Sequence, residues 1–490
     1  MAKLWTLGWV FSLLVATPAI AQPGAISLLE QANTLRQNNQ LQFAAVLYRQ
    51  ALAANPQLAP AHYGLGIILR QQGKLPEAIA AHRQALKLEP KYTAAYYALG
   101  LALYQKGDLA EAVEAYRRAI ALLPKTEVNN LAATYYNLGL AEEGRKNFNQ
   151  AIAAYQNALK LNPQYAEAEV GLGSTLRSQG DVKGAIAAYN RAIQINPKLA
   201  TAHHALGVIA YERRNYDQAI AAYQKVLALD PQFPNLHYYL GLAQAAQGKL
   251  DLAISSQQTA INLNPKQADA HFALGDTWLK QGNHAQAIPA LRRSIALAPK
   301  FAPSHNSLGL ALRRQGDLKG AIAAYQQALR LNPQYAAAYN NLGRALADQQ
   351  KIPDAIAAFQ QATQIEPQNA IALSNLGNLF LTQGQTTEAI ELLQRALAAG
   401  SRQPWAEHTS LGLAYVEQGN LEAALKAYET AIQVQPKFSR AHFSLASLHA
   451  RQGQKEKAIA SYQTALQLYQ QEQDLEGIER SQAALKILIP

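Results

Sequence analysis

Proline recurs along this chain every 34 residues. Pro56, Pro90 and Pro124 are one period apart, as are Pro163, Pro197, Pro231, Pro265, Pro299, Pro333 and Pro367, and Pro436 joins the series after a one-residue slip. A fixed period of roughly 20–50 residues means stacked supersecondary units rather than one globular core. Laid out on this period, 25–472 becomes 13 repeats of 34 residues, with five extra residues at 127–131 and one at Pro404. The expected organisation is repeats 1–3 over 25–126, repeats 4–11 over 132–403, repeats 12 and 13 over 405–472, and a capping helix over 473–490. That layout leaves no stretch for a separate catalytic domain.

Each repeat reads as a helical hairpin. In its first half, apolar residues such as Tyr96, Leu99 and Leu103 fall at i, i+3 and i+7, which share one helix face. Gly occupies the fifteenth position in nine repeats (Gly73, Gly107, Gly180, Gly248, Gly282, Gly316, Gly384, Gly419 and Gly453), where a left-handed C-cap is expected. A second helix follows, as in Ala185-Ile186-Ala187-Ala188-Tyr189, and the proline near the end of the repeat forces the chain out of it. Gly fills position 8 in 11 repeats and Ala fills position 20 in all 13, so two helices are expected to approach closely there.

This pattern of Leu-Gly, Tyr, Ala, Tyr/Phe, Ala and Pro resembles the tetratricopeptide repeat (TPR). It is also similar to the TPR region of protein O-linked N-acetylglucosamine transferases, whose glycosyltransferase portion has no counterpart here. The resemblance implies an all-α fold, a right-handed TPR superhelix. Departures fall at the ends: Gln31-Ala32 replaces Leu-Gly in the first repeat, and Ala446 and Gln470 replace Gly and Pro in the last. The insertion at 127–131 either lengthens helices or bends the array, and a second irregularity is expected at Ser401 and Pro404.

The resemblance also implies where partners bind. In the family, positions 2, 5, 6, 9, 12 and 13 of the first helices line a concave groove that holds peptides or helices of other proteins. Repeats 2 to 8 bring Tyr63, Tyr97, Tyr136, His204, Tyr238 and Phe272 to position 5, an aromatic stretch. Repeats 9 to 11 bring Asn306, Arg313, Arg314, Asn340, Asn341, Arg344, Asn375 and Asn378. Asn can bond both polar groups of an extended backbone, and Arg can hold a carboxylate in a fork. The lysines of the chaperone-type carboxylate clamp are missing at the matching positions.

No other constellation carries chemistry. The chain has no cysteine, which excludes thiol catalysis and Cys-based metal sites. His62, His203, His237, His271, His305, His408 and His442 all sit at position 4. Packed helices lie about 8–10 Å apart, whereas zinc needs nitrogens at about 2.0–2.1 Å. The histidines are therefore read as structural, with a softer expectation that their protonation below about pH 6 loosens many repeats together. Glu142 and Glu143 are read as solvated surface. No catalytic site, cofactor or metal is expected, and the chain is read as a non-enzyme.

Formal net charge is +11, from 44 Lys+Arg against 33 Asp+Glu, without a long basic block. Nucleic acid is not an expected partner. Residues 1–21 read as a signal peptide: Lys3 precedes the uncharged run 4–15, and Ala19-Ile20-Ala21 forms a cleavage site. An uncleaved anchor is the alternative for the same segment. With cleavage no membrane span remains, and the protein is placed in the periplasm or an equivalent lumen, or secreted. The functional expectation is a scaffold or assembly factor for proteins. A subunit of cell-surface glycan synthesis or export machinery and a basic solenoid holding an anionic polymer are the alternatives.

Overall fold

A computed structural model describes residues 24–489, so the signal-peptide segment at 1–21 lies outside the described residues. Among these residues there are 27 α-helices, numbered here in chain order, and no strand. Each repeat contributes a first and a second helix, for example α3 (Ala59–Gln71) with α4 (Leu75–Leu88) and α5 (Thr93–Lys106) with α6 (Leu109–Leu122). The fold is an all-α TPR-type solenoid. No helix of the described residues is long and apolar enough to cross a membrane.

The hairpins close on small residues, as the sequence requires. All thirteen alanines at position 20, from Ala44 to Ala458, are fully buried. A methyl group on any of the eleven glycines at position 8 would fall 2.3–3.1 Å from the side chain at position 24 of its own repeat. That side chain is buried each time and is most often Tyr, as at Tyr116, Tyr155, Tyr189, Tyr223, Tyr325 and Tyr428. Position 8 thus gives up its side chain so that the side chain at position 24 can pack directly on the first helix.

Left-handed backbone ends the first helix in every repeat, including those without glycine. The nine glycines at position 15 have φ between 74° and 94°, and Asn39, Lys146, Arg214 and Gln350 hold the same position at φ 60–62°. A residue with a Cβ is strained there by about 1–2 kcal/mol, Asn least. Replacing Lys146, Arg214 and Gln350 together by glycine is therefore expected to stabilise the protein by about 2 kcal/mol, after allowing for the looser unfolded chain. Urea unfolding checks this, and an unchanged or lower midpoint would refute it.

In five repeats a histidine at position 4 pins the repeat to the one before. The Nε2 of His62, His203, His271, His305 and His442 lies 2.9–3.1 Å from the carbonyl oxygen of the proline six residues earlier. A nitrogen facing a carbonyl must be the donor, so Nε2 carries the proton. This corrects the expectation that the series as a whole loosens in acid, because a protonated ring keeps the same bond. Burial pushes the pKa of His237 and His408, from the same series, below the ordinary value.

The described chain divides into two compact bodies, one ending at Pro234 and one beginning at Asn235. Neither irregularity noted in the sequence marks this division. The insertion at 127–131 simply lengthens α7 (Val128–Gly144) to 17 residues, and Pro404 starts a helix. The division follows Pro234, which takes position 1 where most repeats have Ala, and Asn235 beside it has φ 58°. The next helix, α13 (Leu236–Ala246), is consequently shortened to 11 residues.

Within each body, successive first helices touch one another, whereas successive second helices make no comparable contact. First helices therefore form the inner side of each body. At the N-terminal end, α1 (Ala25–Gln37) shows exposed Gln31 and Thr34 at positions 7 and 10, where later repeats place Leu and a buried small or aliphatic residue. At the other end, α26 (Lys455–Glu472) runs through Gln470 and is covered by α27 (Leu475–Leu488). Ala484, Leu485 and Leu488 of α27 pack on Ala446, Ala458 and Tyr462, and the Arg480 guanidinium lies 4.9 Å above the Phe443 ring.

Candidate protein-binding groove

The aromatic residues at position 5 are half-buried within their own hairpins. Tyr63 packs on Tyr92 at 5.0 Å and on His82 at 6.0 Å, and Tyr136 packs on Tyr165 and Tyr155 at the same distances. His204 does the same with Phe233 and Tyr223, and Tyr97 lies 6.1 Å from Tyr116. In the C-terminal body Phe272 meets Phe301 edge-on at 5.2 Å, and Tyr238 meets Tyr239 at 5.4 Å. These rings therefore brace positions 24 and 34 of the repeat as well as facing inward, and only part of each is left for a partner.

The polar residues of repeats 9 to 11 lie on α17 (Ala302–Arg314), α19 (Ala336–Asp348) and α21 (Ala370–Thr382). The structure links them across helices. Asn341 Nδ2 donates to Asn306 Oδ1 at 3.0 Å, and Asn375 Nδ2 donates to Asn340 Oδ1 at 2.8 Å, with Asn340 buried. Asn306 Nδ2 lies 3.5 Å from the Tyr335 hydroxyl, and Asn378 Nδ2 lies 3.5 Å from Ser374 Oγ. Asn306 is spent at both ends and the other amides at one, which fixes their orientation and leaves Asn341 Oδ1 and Asn375 Oδ1 as acceptors.

Three guanidinium groups stand beside this amide row, and one carboxylate answers them. Arg313 Nε binds Asp348 Oδ2 at 2.7 Å. Arg314 is exposed. Arg344 is half-buried and makes no ion pair or hydrogen bond among the described residues. Burial first, then repulsion from Arg313 and Arg314, holds its pKa below the ordinary arginine value, although it stays charged. The buried Tyr325 hydroxyl, in the field of the same three arginines, has no partner. The Tyr116 hydroxyl also lacks one, whereas Tyr48 donates to Asn33 Oδ1 at 2.7 Å and Tyr155 to Glu143 Oε2 at 2.8 Å.

Sequence reasoning missed two features. Glu142 is buried, receiving Arg117 at 2.8 Å, Arg145 at 3.3 Å and Asn147 at 2.8 Å, and Glu143 is held by Tyr155 and Ser174. The reading of this pair as solvated surface is therefore wrong: position 11 faces the neighbouring helix. The second is a cleft of about 660 Å³ in the C-terminal body, where Asn378, Arg440, Arg451 and Ser447 meet Asp474 and Arg480 at the start of the capping helix. Its sequence signal, arginine at positions 2 and 13 of the last repeat, is faint. Among the described residues no three His, Asp or Glu side chains are gathered as metal ligands would be.

Family models described as "Tetratricopeptide repeat" match residues 136–200, 306–370, 347–404 and 409–472, and others match 93–126, 268–301 and 47–80. A model described as "TPR repeat" matches 66–107, 208–248 and 245–282. The chain is a tetratricopeptide repeat protein. Among solved structures this TPR protein is similar to the Cut9-Hcn1 hetero-tetramer of APC/C, at 17% identity over 95% of this chain and 96% of that one, with a TM-score of 0.49. It is also similar to YrrB, described as a TPR protein with an unusual peptide-binding site, at 23% identity over 39% and 97% of the two chains and a TM-score of 0.33. A third is pilF of Pseudomonas aeruginosa, at 22% identity over 44% and 96% and a TM-score of 0.39. No curated protein matches the chain.

Proposed function

We propose that this TPR protein is an exported, non-enzymatic scaffold that holds extended segments of partner proteins along its first helices. The principal contact is the amide and guanidinium row of repeats 9 to 11. The observation that carries this reading is Arg344, a half-buried cation on the inner side that makes no ion pair among the described residues and shares the field of one carboxylate, Asp348, with Arg313, beside oriented Asn side chains. Three inward cations sharing one carboxylate cost stability that a ligand with its own carboxylate offsets. An extended segment bearing Asp or Glu supplies that carboxylate, with its backbone bonded to Asn341 and Asn375. Export rests on the segment 1–21, with its Lys3, apolar run and A-x-A site.

Fluorescence anisotropy with a labelled acidic peptide tests the site. Arg344→Gln is expected to weaken binding about tenfold, the value of one charge-assisted contact. Changing the peptide's Asp to Asn should cost the same against the unaltered protein and nothing further against the variant. Equal affinity for all four pairs would sink the assignment.

A further inference from the structure

Two of the groove tyrosines, Tyr63 and Tyr97, also line a cleft of about 540 Å³ in the N-terminal body, where repeats 2, 3 and 4 meet. This cleft is a product of the insertion. Glu127 occupies the N-cap position of α7 without a side-chain capping bond, Asn130 lies on its added first turn, and both line the cleft from positions that no other repeat possesses. The opposite wall is Tyr92, packed on Tyr63 with centroids 5.0 Å apart and planes at 49°, beside Glu89.

Glu89, like Glu366, differs from the commonest residue type at its position. Six repeats place Asn or Asp at this position, and there the side-chain oxygen accepts the backbone N–H two residues on, at 3.0–3.2 Å. Glu89 makes no such bond among the described residues, so its carboxylate is not used by the turn. Glu127 gives one oxygen to Asn130 Nδ2 at 2.6 Å and keeps the other. Against these two carboxylates the cleft offers Lys91, which is exposed and makes no ion pair among the described residues. Within a chain of net charge +11, the lining of this cleft carries two carboxylates to one ammonium and is walled by three tyrosine rings, with Arg36 and Arg70 acting on those rings from outside the lining.

We propose that the cleft takes the cationic head of a Lys or Arg side chain carried by an extended partner segment. Ring faces attract an ammonium or guanidinium through their quadrupole when it lies within about 6 Å of the centroid, and nearby carboxylates supply its hydrogen-bond acceptors. The volume admits such a side chain with its flanking backbone. A neutral sugar would also stack on the rings, but it would add no counter-charge to two carboxylates that share one lysine. The site lies apart from the Arg344 row and does not depend on it.

Saturation-transfer NMR on the full chain tests this, using acetyl-Gly-Lys-Gly-amide, the same peptide with norleucine for lysine, and maltose. The lysine peptide is expected to receive saturation, and norleucine roughly fivefold less. Glu89→Gln with Glu127→Gln should abolish the difference, and Arg344→Gln should leave it intact. Equal saturation of the two peptides overturns the proposal, as does a lysine preference that survives the double variant. Binding of maltose alone, lost in that variant, would instead assign the cleft to a saccharide.

Discussion

Replacing Gly100 by valine is expected to lower the unfolding free energy of the N-terminal body by about 3 kcal/mol, the upper part of the range for overpacked cores. The ideal Cβ alone would sit 2.5 Å from Cε1 of Tyr116, a side chain with no exposed surface, and valine adds two further methyl groups on the same side. Tyr116 has no solvent to swing into, because it is fully buried in one core cluster with Ala112, Leu99 and Leu103. The clash must then be relieved by parting α5 from α6. Hydrogen exchange should show these two helices opening first, since contacts in a repeat array are local. If exchange there and the urea midpoint were both unchanged, the account of position 8 would fail. Tyr116→Leu in the same background should recover part of the loss, because repeats 8 and 11 pair Gly with Leu291 and Leu393.

Acid is expected to cost the N-terminal body about 2 kcal/mol between pH 7 and pH 5, and His82 is the main cause. It occupies position 24 of repeat 2, where most repeats have Tyr, with no exposed surface and with both ring nitrogens lacking partners. Burial, then the Arg70 charge, pushes its pKa from 6.5 down to about 4. The folded form therefore holds His82 neutral while the unfolded chain takes up a proton below about 6.5. Stability is complete above that value and is lost as pH falls toward 4. Tyr63 packs against the ring, so protonation also disturbs the aromatic stack of the groove. His82→Tyr restores the common residue and should flatten the pH dependence of urea unfolding between pH 7 and 5. A variant as acid-sensitive as the parent would shift the explanation to His204, whose pKa burial also lowers.

The period made most of the fold legible, because each small residue at positions 8, 15 and 20 answers to one steric demand. Lys146, Arg214 and Gln350 show the limit: the demand for left-handed backbone persists where the residue type does not announce it. Pro234 lies outside the 34-residue proline series and was not singled out in the sequence; its meaning lies in its position at the start of a repeat, not its type. Glu142 was misread because charge was weighed without the helix face that packs it against Arg117. Of the candidate site, the residue types at positions 5, 6, 9, 12 and 13 could be read directly. Their pairing could not, since Asn306 and Asn341 are 35 residues apart and meet only when neighbouring first helices stack. The tyrosine-walled cleft was hidden for the same reason, because its walls come from three repeats and an insertion.

The arrangement of first helices inside each body has a mechanical consequence. Their mutual contacts are slight beside those within a hairpin and between a second helix and the next repeat. Each body is therefore a coil that is stiff along its outer, alternating seam and soft along its inner one. A small change of angle shared among successive repeats alters the pitch of the inner side without breaking any hairpin. A partner held at several points can thus be matched by winding or unwinding the coil, and the work of doing so is spread over many weak contacts rather than stored at a hinge.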